Sequence, residues 1–217
     1  LDLQTRAQAA ILMNADTGIV LYEKQGDAPI YPASTTKIAT ALFVLEEKSI
    51  SLDQMLRVSQ ESLKMKPSGK ANGEIPPYWW DVEGTRMWLH PDEILSLESL
   101  LHGLMMVSGN DAANVIAEGV SGSIPIFMEE LNSYLKKIGC LRTQFMNPHG
   151  CHHPDHVSTV RDLSMMAKRA LQHEKLREIV SKPVYQKPKT NKQGPKELGQ
   201  RNQLLKEGGR FYYPKAI

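Results

Sequence analysis

Ser34 and Lys37 are a pair of side chains whose types and spacing could support catalysis in this 217-residue sequence. In a helix, a hydroxyl and an amine three residues apart share one face, with Cβ atoms roughly 5–6 Å apart. The amine can take the hydroxyl proton if burial or nearby cations lower its pKa from about 10.4. A helix N-terminus beside Ser34 would add N–H groups for a developing oxyanion. The spacing therefore indicates a serine nucleophile with a lysine base.

The same Ser-x-x-Lys pattern recurs at Ser133-Tyr-Leu-Lys136, within a predicted amphipathic helix and without a companion motif. We interpret this second copy as structural. The first copy has a companion in Ser108-Gly-Asn110, a turn between two apolar helical stretches. Ser108 could relay a proton to the leaving nitrogen, and Asn110 could hold Lys37 or the substrate amide. The alternative for this turn is a helix N-cap at Asn110 or Asp111.

The elements that must position these residues follow from hydrophobic periodicity. Apolar runs at 9–14 and 19–23 predict a hairpin packed by both faces, and an irregular segment covers 65–84. Helical spacing predicts helices from near Ser34 to Lys48 and at 93–107, 112–118, 124–138 and 159–180. An extended segment follows at 183–185. Strands before and after a helical cluster predict a mixed sheet with helices.

Composition limits the classes of function. The chain is 41% apolar with a formal net charge of +2, which fits a globular enzyme and gives no electrostatic reason to expect a nucleic acid partner. No window approaches the roughly 20 apolar residues of a membrane helix, and no signal segment opens the sequence. We therefore expect a mature or trimmed product. Cys140 and Cys151 are the two cysteines, and a disulfide or two free thiols both fit the spacing.

Two motifs carry a family resemblance: Tyr31-Pro-Ala-Ser-Thr-Thr-Lys37 and, further along, Ser108-Gly-Asn-Asp-Ala-Ala113. Together they resemble the low-molecular-mass penicillin-binding D-alanyl-D-alanine carboxypeptidases. The similarity extends to 9–18, 84–87, 145–150 and 158–162. It implies an α/β (α+β) fold of the penicillin-binding and β-lactamase-like transpeptidase type, a sheet packed by helices. We expect one domain over 1–217, with a helical subdomain at roughly 52–160.

The resemblance implies a role for each matching residue. Ser34 would be the nucleophile, with its N–H forming half of the oxyanion hole, and Lys37 its base. Ser108 would be catalytic and Asn110 would bind substrate, with no cofactor and no metal. A third motif, Lys-Thr-Gly, does not follow, since Lys189-Thr190 is followed by Asn191. We expect that strand after Ile217, so the domain would be incomplete at its C-terminus.

The implied reaction is removal of the terminal D-alanine from peptidoglycan stem peptides through a Ser34 acyl-enzyme. Partners would be peptides ending in D-Ala-D-Ala and β-lactam antibiotics. The substrate implies an extracytoplasmic location, in the periplasm or on the outer face of the cytoplasmic membrane, after removal of a signal peptide. A further C-terminal region would bring peripheral membrane association.

Three other interpretations are weaker. A serine β-lactamase of the commonest form needs Glu-x-x-Leu-Asn, and Met128 stands where the Glu would be, ahead of Leu131-Asn132. A catalytically silent wall-binding or scaffold homologue would keep the fold without the third motif. His149 and His152-His153 suggest zinc, but no third ligand has a metal-like spacing and the segment is loop-like.

Overall fold

The computed structural model describes residues 3–68 and 73–213, in which helices and strands are combined as the sequence predicts. The described strands form three separate two-stranded sheets, all antiparallel. They pair β1 (Ala10–Met13) with β2 (Val20–Lys24), β3 (Met55–Arg57) with β4 (Ile94–Ser96), and β5 (Val184–Lys187) with β6 (Lys196–Gly199). The sequence predicts one mixed sheet, and the described residues differ from that prediction.

Six α-helices lie between these strands in the described chain. They are α1 (Thr36–Glu47), α2 (Leu97–Met106), α3 (Asn110–Ser121), α4 (Ile124–Lys137), α5 (Val160–Gln172) and α6 (Glu174–Ser181). A short 3₁₀ turn, Ala33–Thr35, leads directly into α1. Helix α1 packs against α2, α3, α4 and α5, and its residues 39 and 41–44 are buried. The helix that follows Ser34 is therefore at the centre of the core.

Side-chain hydroxyls define where three of the helices begin. Ser96, Ser123 and Thr159 each accept a hydrogen bond from the backbone N–H three residues ahead, at the start of α2, α4 and α5. Such caps satisfy N–H groups that have no partner inside the helix. Helix α1 has no side-chain cap, and its first N–H, that of Thr36, donates to the carbonyls of Ala33 and Ser34 in the preceding turn.

A buried ion pair ties the β5–β6 sheet to the start of β4. Glu93 and Lys187 are 0% and 1% exposed at the side chain, with Nζ 3.6 Å from Oε1. Thr190 donates to the same Glu93 oxygen at 2.8 Å, and Asn191 Oδ1 accepts from Ile94 N–H. The Lys189-Thr190-Asn191 segment is therefore part of the scaffold.

Within the described chain, none of the helices combines the length and hydrophobicity needed to cross a membrane.

Several predicted boundaries change in the structure. The hairpin forms, but Leu12 and Leu21 are 43% and 45% exposed, so it is not packed by both faces. Residues 94–96, predicted as helix, pair as strand β4. The predicted helix at 159–180 is two helices separated at His173. No helix or strand occurs in the described part of 65–84, as predicted, yet Trp80 within it is buried.

Candidate active site

Ser34 lies in the 3₁₀ turn that precedes α1, at the mouth of a cavity of about 450 Å³. Thr35 closes the turn by donating its hydroxyl to the Pro32 carbonyl at 2.6 Å. Ala33 has φ of 49°, a conformation uncommon for a residue with a Cβ. The exposed Ser34 hydroxyl thus stands at the positive end of a central helix, which confirms the predicted position.

Lys37 lies one turn further along and is only 2% exposed. Its amine donates to Ser34 Oγ at 3.1 Å, to Asn110 Oδ1 at 2.8 Å and to the His149 carbonyl at 2.7 Å. No carboxylate lies within ion-pair distance of this amine among residues 3–68 and 73–213. The amine is therefore surrounded by neutral acceptors and directed toward the Ser34 hydroxyl.

Burial lowers the pKa of the Lys37 amine from 10.5 to about 8. The positive charge of Arg201 acts in the same direction, and the negative charge of Asp111 opposes it. A buried ammonium loses hydration that three neutral acceptors replace only in part, so the uncharged form is favoured. A useful fraction of Lys37 is then unprotonated near neutral pH, which a general base requires.

Asn110 is the first residue of α3 and holds Lys37 from a second element. Its backbone N–H donates to the Thr85 carbonyl at 2.8 Å, and its Nδ2 donates to Cys151 Sγ at 3.6 Å. The neighbouring Asp111 carboxylate is buried and accepts from the N–H groups of Met87 and Leu89. Backbone donors on both sides of Trp88 thus fix the start of α3 relative to the 84–89 segment.

Ser108 is close in sequence but makes no contact of this kind. Its φ is 60°, and its carbonyl accepts the Thr85 hydroxyl. Within the described chain, no hydrogen bond joins the Ser108 hydroxyl to Ser34 or Lys37. The structure therefore brings together Ser34, Lys37 and Asn110 by hydrogen bonds, while Ser108 stays on the adjoining turn.

The loop at 145–150 supplies a group that sequence reasoning missed, the main-chain carbonyl of His149. The His149 ring donates from Nε2 to the Tyr78 carbonyl at 3.0 Å and accepts at Nδ1 from Cys151 N–H at 3.1 Å. Burial lowers the pKa of this imidazole to about 3. The ring fixes the loop, and the loop presents its carbonyl to Lys37. A backbone acceptor has no side-chain signature that sequence could reveal.

Other candidates from the sequence lie elsewhere or are already engaged. Ser133 and Lys136 are both exposed on α4, away from a buried site. Both nitrogens of His149 are hydrogen bonded, and no cluster of three His, Cys, Asp or Glu side chains in the described residues could hold a metal. Cys140 and Cys151 are free thiols. A larger recess of about 850 Å³ lies beside the β5–β6 sheet and includes neither Ser34 nor Lys37.

Comparison with known proteins gives a consistent result. A family model described as D-alanyl-D-alanine carboxypeptidase, peptidase family S11, matches residues 2–210. D-alanyl-D-alanine carboxypeptidase DacF of Bacillus subtilis is 32% identical over 178 residues, which cover 81% of this chain and 41% of that protein. DacC of Escherichia coli is 33% identical over 171 residues, covering 77% and 40%.

Solved structures extend the similarity to three dimensions. Penicillin binding protein 5 from Haemophilus influenzae has a TM-score of 0.78 at 26% identity, covering 94% of this chain and 55% of that chain. D-alanyl-D-alanine carboxypeptidase from Mycobacterium tuberculosis H37Rv has a TM-score of 0.75 at 25% identity, covering 92% and 68%. The chain spans 41% and 40% of the length of the two curated relatives named above.

Proposed function

The chain belongs to the D-alanyl-D-alanine carboxypeptidase family and has the penicillin-binding fold, and from this premise we propose that it is a serine-type D-Ala-D-Ala carboxypeptidase. The observation that carries the proposal is the buried Lys37 amine 3.1 Å from the exposed Ser34 hydroxyl. Family membership supplies the reaction class, and this contact supplies a nucleophile with its base.

In the proposed acylation, neutral Lys37 takes the Ser34 proton as Oγ attacks the carbonyl carbon of the penultimate D-alanine. The carbonyl oxygen becomes an oxyanion, which the Ser34 N–H and the positive end of the α1 dipole would stabilise. The tetrahedral intermediate then collapses. Its C–N bond breaks, a proton passes to the leaving nitrogen, and D-alanine departs from an ester on Ser34.

Deacylation reverses these steps with water as the nucleophile. Water loses a proton to the base, attacks the ester carbonyl and releases the shortened peptide, and the proton returns to Ser34 Oγ. In this scheme Ser108 relays the proton to the leaving nitrogen, and Asn110 binds the substrate amide while holding Lys37. A β-lactam would follow the acylation half, since attack on its ring carbonyl opens the amide without releasing a fragment.

The proposal extends to the setting of the enzyme. The substrate class is peptidoglycan stem peptide, so we place the enzyme outside the cytoplasm, with its signal peptide removed and with peripheral membrane association through a C-terminal region. We also propose one peptidase domain over 1–217, in which residues at roughly 52–160 form the helical subdomain. A Lys-Thr-Gly strand would complete the oxyanion hole, where loss of one donor lowers turnover roughly 10²–10³-fold.

Covalent labelling by a penicillin tests the proposed nucleophile. We would incubate the 217-residue chain and the natural full-length protein with benzylpenicillin and locate adducts by intact and peptide mass spectrometry. The expected result is one adduct on Ser34 that Ser34→Ala abolishes. Ser133→Ala, which removes the exposed serine of the second Ser-x-x-Lys pattern, should label normally. A folded full-length protein without any adduct would overturn the proposal.

A further inference from the structure

A second recess, of about 370 Å³, adjoins the Ser34 cavity. Residues 83–85 line both cavities, so the two are adjacent. The far side of the recess is lined by Arg86, Trp88 and Arg201. This recess contains none of the four residues assigned to the reaction, and its lining combines two cationic side chains with one large aromatic surface.

Arg86 is held in place without an acidic partner. Its guanidinium lies 4.0 Å from the ring centroid of Trp88 and 5.4 Å from that of Trp80. It donates to the Val82 carbonyl at 3.3 Å and contacts Met65 Sδ at 3.7 Å. No carboxylate lies within 4.0 Å of it in residues 3–68 and 73–213. Stacking on the tryptophan rings orients the planar guanidinium of Arg86, and N–H donors remain free to bind an anionic ligand.

Trp88 is exposed and also rigidly held. The side chain is 58% exposed although φ is 68°, a conformation rarely adopted by a bulky residue. Its carbonyl accepts from Gln193 Nε2 at 2.9 Å, and the N–H groups of its neighbours Met87 and Leu89 donate to the buried Asp111 carboxylate. A strained backbone fixed on both sides holds the indole in a set position at the edge of the recess. Such rigid aromatic surfaces lose little entropy when a ligand binds.

Arg201 adds a second positive charge on the same lining. Its guanidinium makes no ion pair within the described part of the chain. Glu83, Gly84 and Thr85 line both this recess and the Ser34 cavity, which places the recess next to the reacting atoms. Glu83 on the shared wall makes no ion pair with either arginine in the described residues.

We propose that this recess is a specificity subsite that binds a carboxylate on the acyl side of the substrate peptide. Arg86 would bind the carboxylate through its free donors, Arg201 would add positive charge, and Trp88 would pack against the alkyl part of the same side chain. Charge complementarity selects this ligand, because two cations lacking acidic partners face one opening. The inference rests on the proposed function, since it assumes that a peptide occupies the Ser34 cavity.

The test compares two peptides that both end in D-Ala-D-Ala. The residue before these alanines carries a side-chain carboxylate in one peptide and the matching amide in the other. We would measure kcat/KM for both with the full-length protein, Arg86→Gln, Arg86→Lys and Arg177→Gln. Arg177 is the control, because it is exposed on α6 and outside the recess. Arg86→Gln should reduce the preference for the carboxylate peptide about tenfold, which corresponds to one charged hydrogen bond.

The remaining outcomes separate the two proposals. Arg86→Lys should keep part of the preference, and Arg177→Gln should keep all of it. An equal loss for both peptides, an unchanged preference, or the same loss in Arg177→Gln would overturn the subsite. Dissociation constants of both peptides for Ser34→Ala and Ser34→Ala/Arg86→Gln, measured by calorimetry, report on the subsite without turnover. The carboxylate preference in binding would therefore persist even if no peptide is hydrolysed and Ser34 is not labelled.

Discussion

At the scale of single residues, the site depends on how many N–H groups Lys37 has. An ammonium has three donors and meets three acceptors, Ser34 Oγ, Asn110 Oδ1 and the His149 carbonyl. A neutral amine keeps two donors and a lone pair. The neutral amine keeps its two N–H groups in the shorter hydrogen bonds, to Asn110 Oδ1 at 2.8 Å and to the His149 carbonyl at 2.7 Å. Its lone pair then faces Ser34 Oγ. The same acceptors that hold the charged form therefore orient the neutral form as the proposed role of Lys37 as a base requires.

The first prediction concerns the pH dependence of acylation. Because only neutral Lys37 can accept the proton, the rate constant for penicillin acylation should rise with pH around a midpoint of about 8. At two pH units below that midpoint the rate should be roughly 100-fold below its plateau. Stopped-flow measurement between pH 6 and 9 with the full-length protein checks this.

Replacing Arg201 tests the direction in which the midpoint moves. Its positive charge contributes to lowering the pKa of Lys37, so Arg201→Gln should move the midpoint to higher pH. Arg177→Gln removes an equal charge from an exposed position on α6 and should leave the midpoint where it was. A rate constant that does not vary with pH, or a midpoint that moves to lower pH in Arg201→Gln, would contradict the assignment of Lys37 as the base.

Sequence identifies these residues only as candidates. The pattern Ser-x-x-Lys is the same at Ser34 and at Ser133, and both copies place their side chains on or beside a helix. The two copies differ in the burial of the lysine. Lys37 is only 2% exposed, whereas Lys136 is exposed to solvent. Burial depends on the packing of distant segments around α1. The motif could therefore be read from the sequence, but the lowered pKa of the lysine could not.

At the scale of elements, the 3₁₀ turn Ala33–Thr35 and the loop at 147–150 together position Ser34, the proposed nucleophile. Gly150 has φ of 89°, and a Cβ there would lie 1.9 Å from the Ala33 carbonyl oxygen and 3.0 Å from Ser34 N. Only glycine allows this close approach of two backbones. The His149 carbonyl of the same loop accepts a hydrogen bond from Lys37, so the position of the loop affects both Ser34 and Lys37.

The second prediction separates that contact from ordinary glycine strain. Gly122 is a matched control because its φ is 80° and a Cβ there would meet nothing within 4 Å. Gly122→Ala should cost about 1–2 kcal/mol of unfolding free energy, from the left-handed conformation alone, and should acylate normally. Gly150→Ala should cost more and acylate at least about tenfold more slowly, because Ser34 N–H must move.

Urea unfolding and penicillin acylation of the two variants give the measurements. The ratio of acylation rates is the informative quantity, since both variants carry the same backbone strain. Equal acylation by Gly150→Ala and Gly122→Ala would mean that the loop does not set the geometry of Ser34.

Most helices could be predicted from periodicity, and their ends less well. Helix α4 matches its prediction to within one residue, because Ser123 caps one end and apolar residues recur along its length. The predicted helix at 159–180 is interrupted at His173, where the backbone is extended with ψ of 112°. Residues 94–96 are predicted as helix because the sequence around them does not show that they pair with β3, which is distant along the chain.

At the scale of the whole molecule, two buried neutral histidines connect the site to the stability of the fold. His156 accepts at Nδ1 from Met146 N–H and donates from Nε2 to Thr36 Oγ1, beside Lys37. His149 has the same arrangement, with Nδ1 accepting from a backbone N–H. Burial lowers the pKa of His149 to about 3 and that of His156 to about 4. Protonation of either ring at Nδ1 would place its new N–H against the backbone N–H that Nδ1 now accepts from.

The third prediction follows from the sign of these shifts. As pH falls below about 6.5, the unfolded chain binds protons at both histidines while the folded chain does not, so stability is present above that pH and lost below it. For the two rings together the slope should be about half of its limit at pH 6.5 and should approach that limit, roughly 2.7 kcal/mol of unfolding free energy per pH unit, near pH 5. Urea unfolding between about pH 7 and pH 5 measures that slope.

Substitutions show which histidine is responsible for the slope of unfolding free energy against pH. His156→Gln removes one of the two groups, so about half of the slope should remain whatever the change in stability at neutral pH. His90→Gln alters an exposed histidine and should keep the full slope. If His156→Gln and His90→Gln have the same slope, acid sensitivity does not originate beside the nucleophile. If only His156→Gln is flatter, part of the acid sensitivity originates beside Ser34 and Lys37, and on acidification the acylation rate should decline first, around pH 8, and stability only below about pH 6.5.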